Sequence, residues 1–470
     1  MARDCSHRYS RRQGVRLALA LALPVGVLSL MLAWTLASMS GAHTQDLPAR
    51  GSADVEELAV PDYPGLLDES FGSGGIVTTT FASGSAQGRA VALQPDGRIV
   101  VAGHAGGGNS DLALARYDAS GKLDQAFGSA GMVTTDLGAR DEAVAVVLQP
   151  DGKIVVAGYT GAAGSDDIAL ARYTVSGTLD TSFGSGGVVT ASLGANQRAY
   201  AVALDGDRIV VAGDSGHGTD WDLALLRYTT SGSLDATFGA GGVVTTSVSS
   251  AGDHCRDVAV QPDGKILVVG HVGYSIGTDD ILLARYTVSG TLDVTFGNGG
   301  IVITTVGNGD AYAEAVHIRP DGSILVAGHS QNGLDDFTLL CYTVSGTPDV
   351  SFGASGVVTT DFGDDDEAHA LDVQGNGRIV VAGDNSEVCP AIARYHPDGS
   401  LDTSFGTNGL ANTHVGSGGK GYAVAVQPNG RIVLAGYGGQ SYFALVRYRP
   451  HLVYMPYVHR THDPSWWITE

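Results

Sequence analysis

Read along the chain, the apolar positions come in short blocks. From Ala143 the order is AVAVVLQ, a break at Pro150-Asp151-Gly152, KIVVAG, a polar loop, DIALARY ending at Tyr173, a break at Ser176-Gly177, and GVVTA over Gly187–Ala191. Each block is as long as a strand and too short for a helix, and its apolar residues do not recur at three and four. Asp-Gly supplies the positive φ of a tight hairpin, and the proline before it pre-sets the turn. IVVAG is apolar at every position where a half-exposed strand would alternate, so both of its faces are expected to be covered. The pattern predicts a unit of four short antiparallel strands.

The unit repeats, and the period decides the fold. Phe-Gly pairs fall at Phe71, Phe127, Phe183, Phe238, Phe296, Phe352 and Phe405, spaced 56, 56, 55, 58, 56 and 53 residues. A glycine closes each IVVAG-like run, at Gly103, Gly158, Gly213, Gly270, Gly328, Gly383 and Gly436. Sheets that cover both faces with copies of themselves at this period pack radially, whereas a solenoid coil takes far fewer residues per turn. The expected fold is all-β, a seven-bladed β-propeller of four-stranded antiparallel blades over residues 66–448. The last unit, Ala423 to Tyr448, has three strands and no fourth. The first recognisable segment, LLDESFGSGGIVTTT at Leu66–Thr80, is a fourth strand with no sheet before it. The N-terminal strand is therefore expected to complete the last blade, which closes the ring and removes exposed edges.

The stretch VQPDGKILVVG at Val260–Gly270, with Leu283-Ala284-Arg285-Tyr286, resembles the delta-60 repeat, a bacterial β-propeller repeat, and the likeness runs from Leu66 to Tyr448. The third unit departs with Leu204-Asp205-Gly206-Asp207 and the sixth with Gln374-Gly375-Asn376-Gly377; both keep a turn. The resemblance implies a propeller and an exported protein, and it brings no active site with it.

Outside the repeats, Arg3, Arg8, Arg11, Arg12 and Arg16 precede an uncharged run, Leu17 to Ala37, and then Ser40-Gly41-Ala42. Residues 1–42 read as an export signal cut after Ala42 or, uncut, as a membrane anchor. Residues 43–65 read as a polar linker. Residues 449–470 break the repeat and gather His459, His462, Trp466 and Trp467, as a tail packed on the body or a sorting segment. The expected location is outside the cytoplasm, secreted or at the surface of a bacterial envelope. A net charge of -22 repels nucleic acid and anionic lipid and is compatible with divalent cations. Membrane contact is expected only through the N-terminal segment. Four cysteines, Cys5, Cys255, Cys341 and Cys389, with no CxxC spacing, exclude a disulfide framework and a zinc motif.

Two sets of residues recur. Arg116, Arg172, Arg227, Arg285, Arg394 and Arg447 hold one position of the third strand, and Asp124, Asp180, Asp235, Asp293, Asp402 and Asp68 follow in the next turn. Recurrence in every blade speaks for architecture, so each arginine is expected to pair, bidentate and partly buried, with the aspartate of its own sheet, Arg447 with Asp68 across the chain ends. The fifth unit carries Cys341 in place of arginine. The residue after the second-strand glycine, by contrast, varies: His104, Tyr159, Asp214, His271, His329, Asp384 and Tyr437. Variation at a fixed place suits a binding face on the loops there, with Trp221 beside it. Aspartates on the same loops, Asp111, Asp166, Asp167, Asp220, Asp222, Asp279, Asp280, Asp335 and Asp336, and the run Asp364-Asp365-Asp366-Glu367 in an inter-sheet loop suit Ca²⁺; no other cofactor is evident.

No phosphate-binding loop and no nucleophile elbow is present. The leading expectation is an exported binding or scaffold propeller that contacts a glycan, peptide or protein partner through loops on one face. The alternative is a propeller hydrolase or lyase using His104, His271, His329, Asp214 and Asp384 near the central channel.

Overall fold

The structure, a computed structural model, describes residues 67–450 apart from 195, 274–277, 364, 386–388 and 440–441. The expected signal or anchor, the linker, and the tail beyond Pro450 lie outside these residues. Seven four-stranded antiparallel sheets make up the described part, and it holds no helix. Blade 2 shows the plan: Arg140–Leu148 innermost, then Ile154–Ala162, Ser165–Tyr173 and, outermost, Val188–Ala191. The inner strands of blades 1 and 3 to 7 are Ala86–Leu93, Asn196–Asp205, Asp253–Val260, Ala311–Ile318, Glu367–Val373 and Gly419–Val426. Gly152 in the Pro-Asp-Gly break has φ +83, which a side chain would resist.

Blade 7 takes its outer strand, Ile76–Thr79, from the other end of the chain. The register pairs Ile76 with Val446, Val77 with Leu445, Thr78 with Ala444 and Thr79 with Phe443. Second and third strands are covered on both faces; Ile154, Val155, Val156 and Ala157 are all buried. The apolar side chains gather in seven clusters, each shared by two neighbouring blades. The seal between blades 7 and 1, for example, contains Phe71, Ile99, Val101, Val433 and Leu445. A tyrosine ends each third strand, and in six blades its hydroxyl is hydrogen-bonded to a threonine of the preceding blade: Tyr117 to Thr79 at 2.7 Å, Tyr448 and Thr413 at 2.6 Å. Tyr228 has no such partner, because Ala191 stands where the threonine would be.

The Phe-Gly, arginine and aspartate markers form one device. Arg172 Nε donates to Asp180 Oδ2 at 2.9 Å, its guanidinium carbon lies 4.5 Å over the Phe183 ring, and Nη1 donates to the Thr230 carbonyl of the next blade. The other Asp180 oxygen accepts the N–H and hydroxyl of Ser182, so the aspartate caps its own turn as well. The pairing therefore runs through one carboxylate oxygen and is not the expected bidentate one, because the turn claims the other oxygen. The same bond is 3.0 Å for Arg116–Asp124, 2.9 Å for Arg227–Asp235, 2.8 Å for Arg285–Asp293, 2.9 Å for Arg394–Asp402 and 2.9 Å for Arg447–Asp68. The last joins the two chain ends, with Arg447 over Phe71 and bonded to the Ala119 carbonyl of blade 1 at 2.6 Å.

Blade 5 reaches the same arrangement by another route. Cys341 occupies the third-strand position, and Arg319, just before the hairpin turn, supplies the cation. Its guanidinium lies 5.4 Å from the Phe352 centroid and donates to the Pro397 carbonyl of blade 6 at 2.7 Å. A guanidinium can be delivered from either strand because what the interface needs is a planar cation between ring and carbonyl.

Candidate functional site

Every inner strand carries a β-bulge at one place. Pairing with the second strand skips Arg89, Val144, Tyr200, Arg256, Glu314, His369 and Tyr422 in blades 1 to 7. The recurring glycine of each second strand sits opposite. A Cβ on any of these seven glycines would lie 1.8–1.9 Å from an inner-strand carbonyl oxygen, so only glycine lets the bulged backbone approach. The extra residue bends the strand and aims its side chain inward. All seven line a cavity of about 510 Å³ in the central channel.

These side chains interlock around the wall. Arg256 Nε is 3.5 Å from Glu314 Oε1, and its guanidinium lies 4.8 Å from the Tyr200 centroid. Arg89 covers the Tyr422 ring at 4.2 Å. His369 Nε2 is 2.7 Å from Asp384 Oδ1, while Lys420 Nζ is 2.8 Å from Asp384 Oδ2 and 3.4 Å from Glu367. Burial alone would raise the Asp384 carboxyl, but His369 and Lys420 outweigh it and hold the group below its usual range. Asp257, next to the bulge of blade 4, goes the other way. Burial pushes it up to about 6 although both oxygens accept backbone N–H groups, from Val258 and Val316.

The variable residues picked out after the second-strand glycines lie one strand outside this ring. They are strand residues, not loop residues, because the second strands continue past the glycine. Each pairs directly with an inner-strand neighbour: His104 with Gln87, Tyr159 with Glu142, Asp214 with Arg198, His271 with His254, His329 with Tyr312, Asp384 with Glu367, Tyr437 with Lys420. Tyr159 and His329 reach the cavity. The Tyr159 hydroxyl donates to Glu142 at 2.6 Å, and His104 is 3.8 Å from the same carboxylate. Asp214 is 2.8 Å from His254 Nδ1 and accepts the Cys255 N–H. His271 packs 4.7 Å from both His254 and Tyr312, and burial, then Arg256, pushes its imidazole well below the usual range. Tyr437 lies 5.7 Å from Tyr422. Trp221 donates to the Gly218 carbonyl and sits 5.9 Å from His254. His104, His271, His329, Asp214 and Asp384 thus lie on five blades and form no common His/Asp centre; the two hydrogen-bonded imidazole–aspartate pairs, at 2.8 and 2.7 Å, use inner-strand His254 and His369, which sequence reasoning missed.

Two blade junctions each gather three carboxylates within 4.8 Å, Asp111, Asp136 and Asp141 in one, Asp336, Asp361 and Asp366 in the other. Burial and a like-charged neighbour raise Asp111 and Asp336 above the usual carboxylate range.

Among solved structures, the fold is similar to a catalytically inactive virginiamycin B lyase from Staphylococcus aureus with quinupristin, at 9% identity over 79% of this chain and 98% of that one, TM-score 0.47. It is also similar to a streptogramin B lyase, at 11% over 80% and 97%, TM-score 0.48, and to the WD40 β-propeller domain of Doa1, at 12% over 80% and 98%, TM-score 0.44. At such identities the likeness concerns the fold alone. No curated protein matches the chain. Residues 94–127, 149–183, 207–238, 261–296, 319–352, 374–405 and 427–450 match the family described as "Domain of unknown function (DUF5122) beta-propeller". One match falls in each of the seven blades, and the chain is a β-propeller repeat protein.

Proposed function

We propose that this is an exported binding propeller that takes a peptide segment of a partner into the mouth of its central channel. The observation that carries the reading is the bulge ring: one backbone device, repeated seven times, presents Arg, Val, Tyr, Arg, Glu, His and Tyr. The frame dictates the place and leaves the residue free. A peptide suits the wall better than a glycan. Sugar rings need open aromatic faces, and here Arg89 and Arg256 lie over Tyr422 and Tyr200. Those guanidinium groups suit carboxylates and carbonyls, and Glu314 suits a basic side chain. Export rests on the arginines before Leu17–Ala37 and on the delta-60 likeness. Ca²⁺ at the two carboxylate junctions belongs to the same proposal, and melting with Ca²⁺ against EDTA tests it.

A peptide array followed by titration calorimetry tests the binding. Arg256→Ala and Tyr422→Ala are expected to weaken a hit at least tenfold, on the order of 1.4 kcal/mol. Val350→Ser, at a 77% exposed position away from the ring, should leave it unchanged. A ligand that ignores the ring variants and is lost with Val350→Ser overturns the reading. A hydrolase or lyase is the second reading, and the oriented His369–Asp384 pair on the cavity wall favours it.

A further inference from the structure

Six of the seven clasps end on a backbone carbonyl of the following blade. Arg116 reaches Val175, Arg172 Thr230, Arg227 Val288, Arg285 Val344, Arg319 Pro397 and Arg447 Ala119. The seventh does not. Arg394 keeps Asp402 and the Phe405 ring, yet both of its Nη atoms lack a hydrogen-bond partner in a side chain that is 0% exposed. A buried charged donor without an acceptor forfeits its hydration and gains nothing in exchange. Burial pushes the Arg394 pKa down to about 10.

The cause is the place where the ring is cut. In the ordinary clasp the acceptor lies just past the third-strand tyrosine, in the turn that leads on to the outer strand. In blade 7 that stretch is Arg449-Pro450, and the outer strand comes from the other end of the chain, so no turn joins it to the third strand. Pro450 still packs where its counterparts do. A Cβ on Gly430 would meet it at 3.1 Å, as one on Gly152 would meet Val175 and one on Gly264 would meet Val288 at 2.8 Å. The described chain thus reaches the acceptor's place at Pro450, and yet neither Arg394 Nη has a partner there.

We propose that the notch between blades 6 and 7 is a docking socket for the segment that follows Pro450, residues 451–470, which supplies the missing backbone carbonyl to Arg394 and fastens the tail over the seam of the ring. The segment is the fitting occupant because it follows directly on Pro450, which sits at the notch. Its tether holds it there at high effective concentration, and the donors are too deeply placed for a surface contact with a large partner. A carbonyl is the fitting group, since six equivalent guanidinium groups take one.

A double-mutant cycle on the full chain tests this, with melting midpoint as the readout. Removing residues 451–470 and replacing Arg394→Met are each expected to lower the midpoint by several degrees, and the combination no further than the larger single change. Arg172→Met, whose carbonyl acceptor lies in blade 3, should add fully to the truncation. If Arg394→Met prevents folding, Arg394→Lys takes its place, and the truncation should remove most of the midpoint difference between Lys and Arg. Titration with acetate supplies the second measurement: a midpoint raised in the truncated protein and not in the full chain supports the socket. Additive shifts in the cycle, or an equal acetate response in both forms, overturn it.

Discussion

The clasp and the channel ring use the same sevenfold frame to opposite ends. At the clasp, six blades repeat arginine, aspartate and phenylalanine at fixed spacing, and the seventh recovers the ring and carbonyl contacts with Arg319. In the channel, the backbone repeats and the side chains do not: Arg89, Val144, Tyr200, Arg256, Glu314, His369 and Tyr422 share one position and four chemical classes. The difference teaches how to separate architecture from function in a repeat protein. A residue the interface cannot do without recurs or is replaced in space by an equivalent. A residue the interface does not use is free to vary, and here the free position faces a cavity.

The largest expected effect comes from breaking a clasp. Arg172→Met leaves Asp180 with only the more exposed Lys153, 3.4 Å away, and strips Phe183 and the Thr230 carbonyl of a partner, and should cost about 2–3 kcal/mol in urea denaturation. A change below 1 kcal/mol would mean that the clasp is not what holds adjacent blades together.

Protonation should sharpen the contrast, because the clasp aspartates and Asp257 of the channel wall are moved in opposite directions. Asp180 is lowered to about 2, first by the Ser182 hydroxyl, with burial opposing and Arg172 adding to it; Asp402 is lowered to about 2 by Ser404 and Arg394 against the opposing effect of burial. Their contribution is complete above the unfolded value near 4 and is lost as pH falls through 2. Asp257 in the channel wall, raised to about 6, stabilises fully below about 4, and that contribution disappears as pH rises through 6. Its shift corresponds to about 3 kcal/mol across that window. Asp257→Asn, which cannot titrate, should flatten the fall in stability between pH 4 and 7; an unchanged slope would locate it in other groups.

Blade 5 offers a smaller and more pointed test. Arg319→Gln should destabilise by about 1–2 kcal/mol, since a partly buried cation leaves the Phe352 ring and the Pro397 carbonyl. Cys341→Arg alone should also destabilise, because two guanidinium groups then compete for one site. The double variant restores the arrangement of the other blades and should recover most of the loss; two losses that simply add would show that the two positions are not equivalent. The smallest effect is a gain. Ala191→Thr gives the buried Tyr228 hydroxyl the partner that its counterparts have, for about 1 kcal/mol in thermal unfolding.

The fold was legible because its markers are parts of physical devices. Phe-Gly, the third-strand arginine and the turn aspartate recur together since they form one contact, and the orphan strand at Leu66–Thr80 announced its place by lacking a sheet. The candidate site was legible only to within one strand. His104, His271 and Asp384 drew attention because they follow an invariant glycine, while the glycine's purpose is to admit the bulge across from it. The signal was present as a variable residue between two small or compact ones: Gly88-Arg89-Ala90, Ala199-Tyr200-Ala201, Ala368-His369-Ala370. Reading it requires knowing that the opposing glycine creates a bulge, which depends on cross-strand pairing and has no period of its own. Arg319 was hidden for a related reason. The missing arginine at Cys341 shows in the sequence, whereas its replacement from another strand shows only in space.

Stability and ligand affinity measured side by side on single variants of every bulge residue and every clasp arginine test the separation most directly. The account predicts two groups: ring variants that lose binding and keep their melting midpoint, and clasp variants that lose midpoint and, while folded, keep their affinity. Ring variants that unfold the protein as readily as clasp variants, or clasp variants that abolish binding in the folded state, would contradict it.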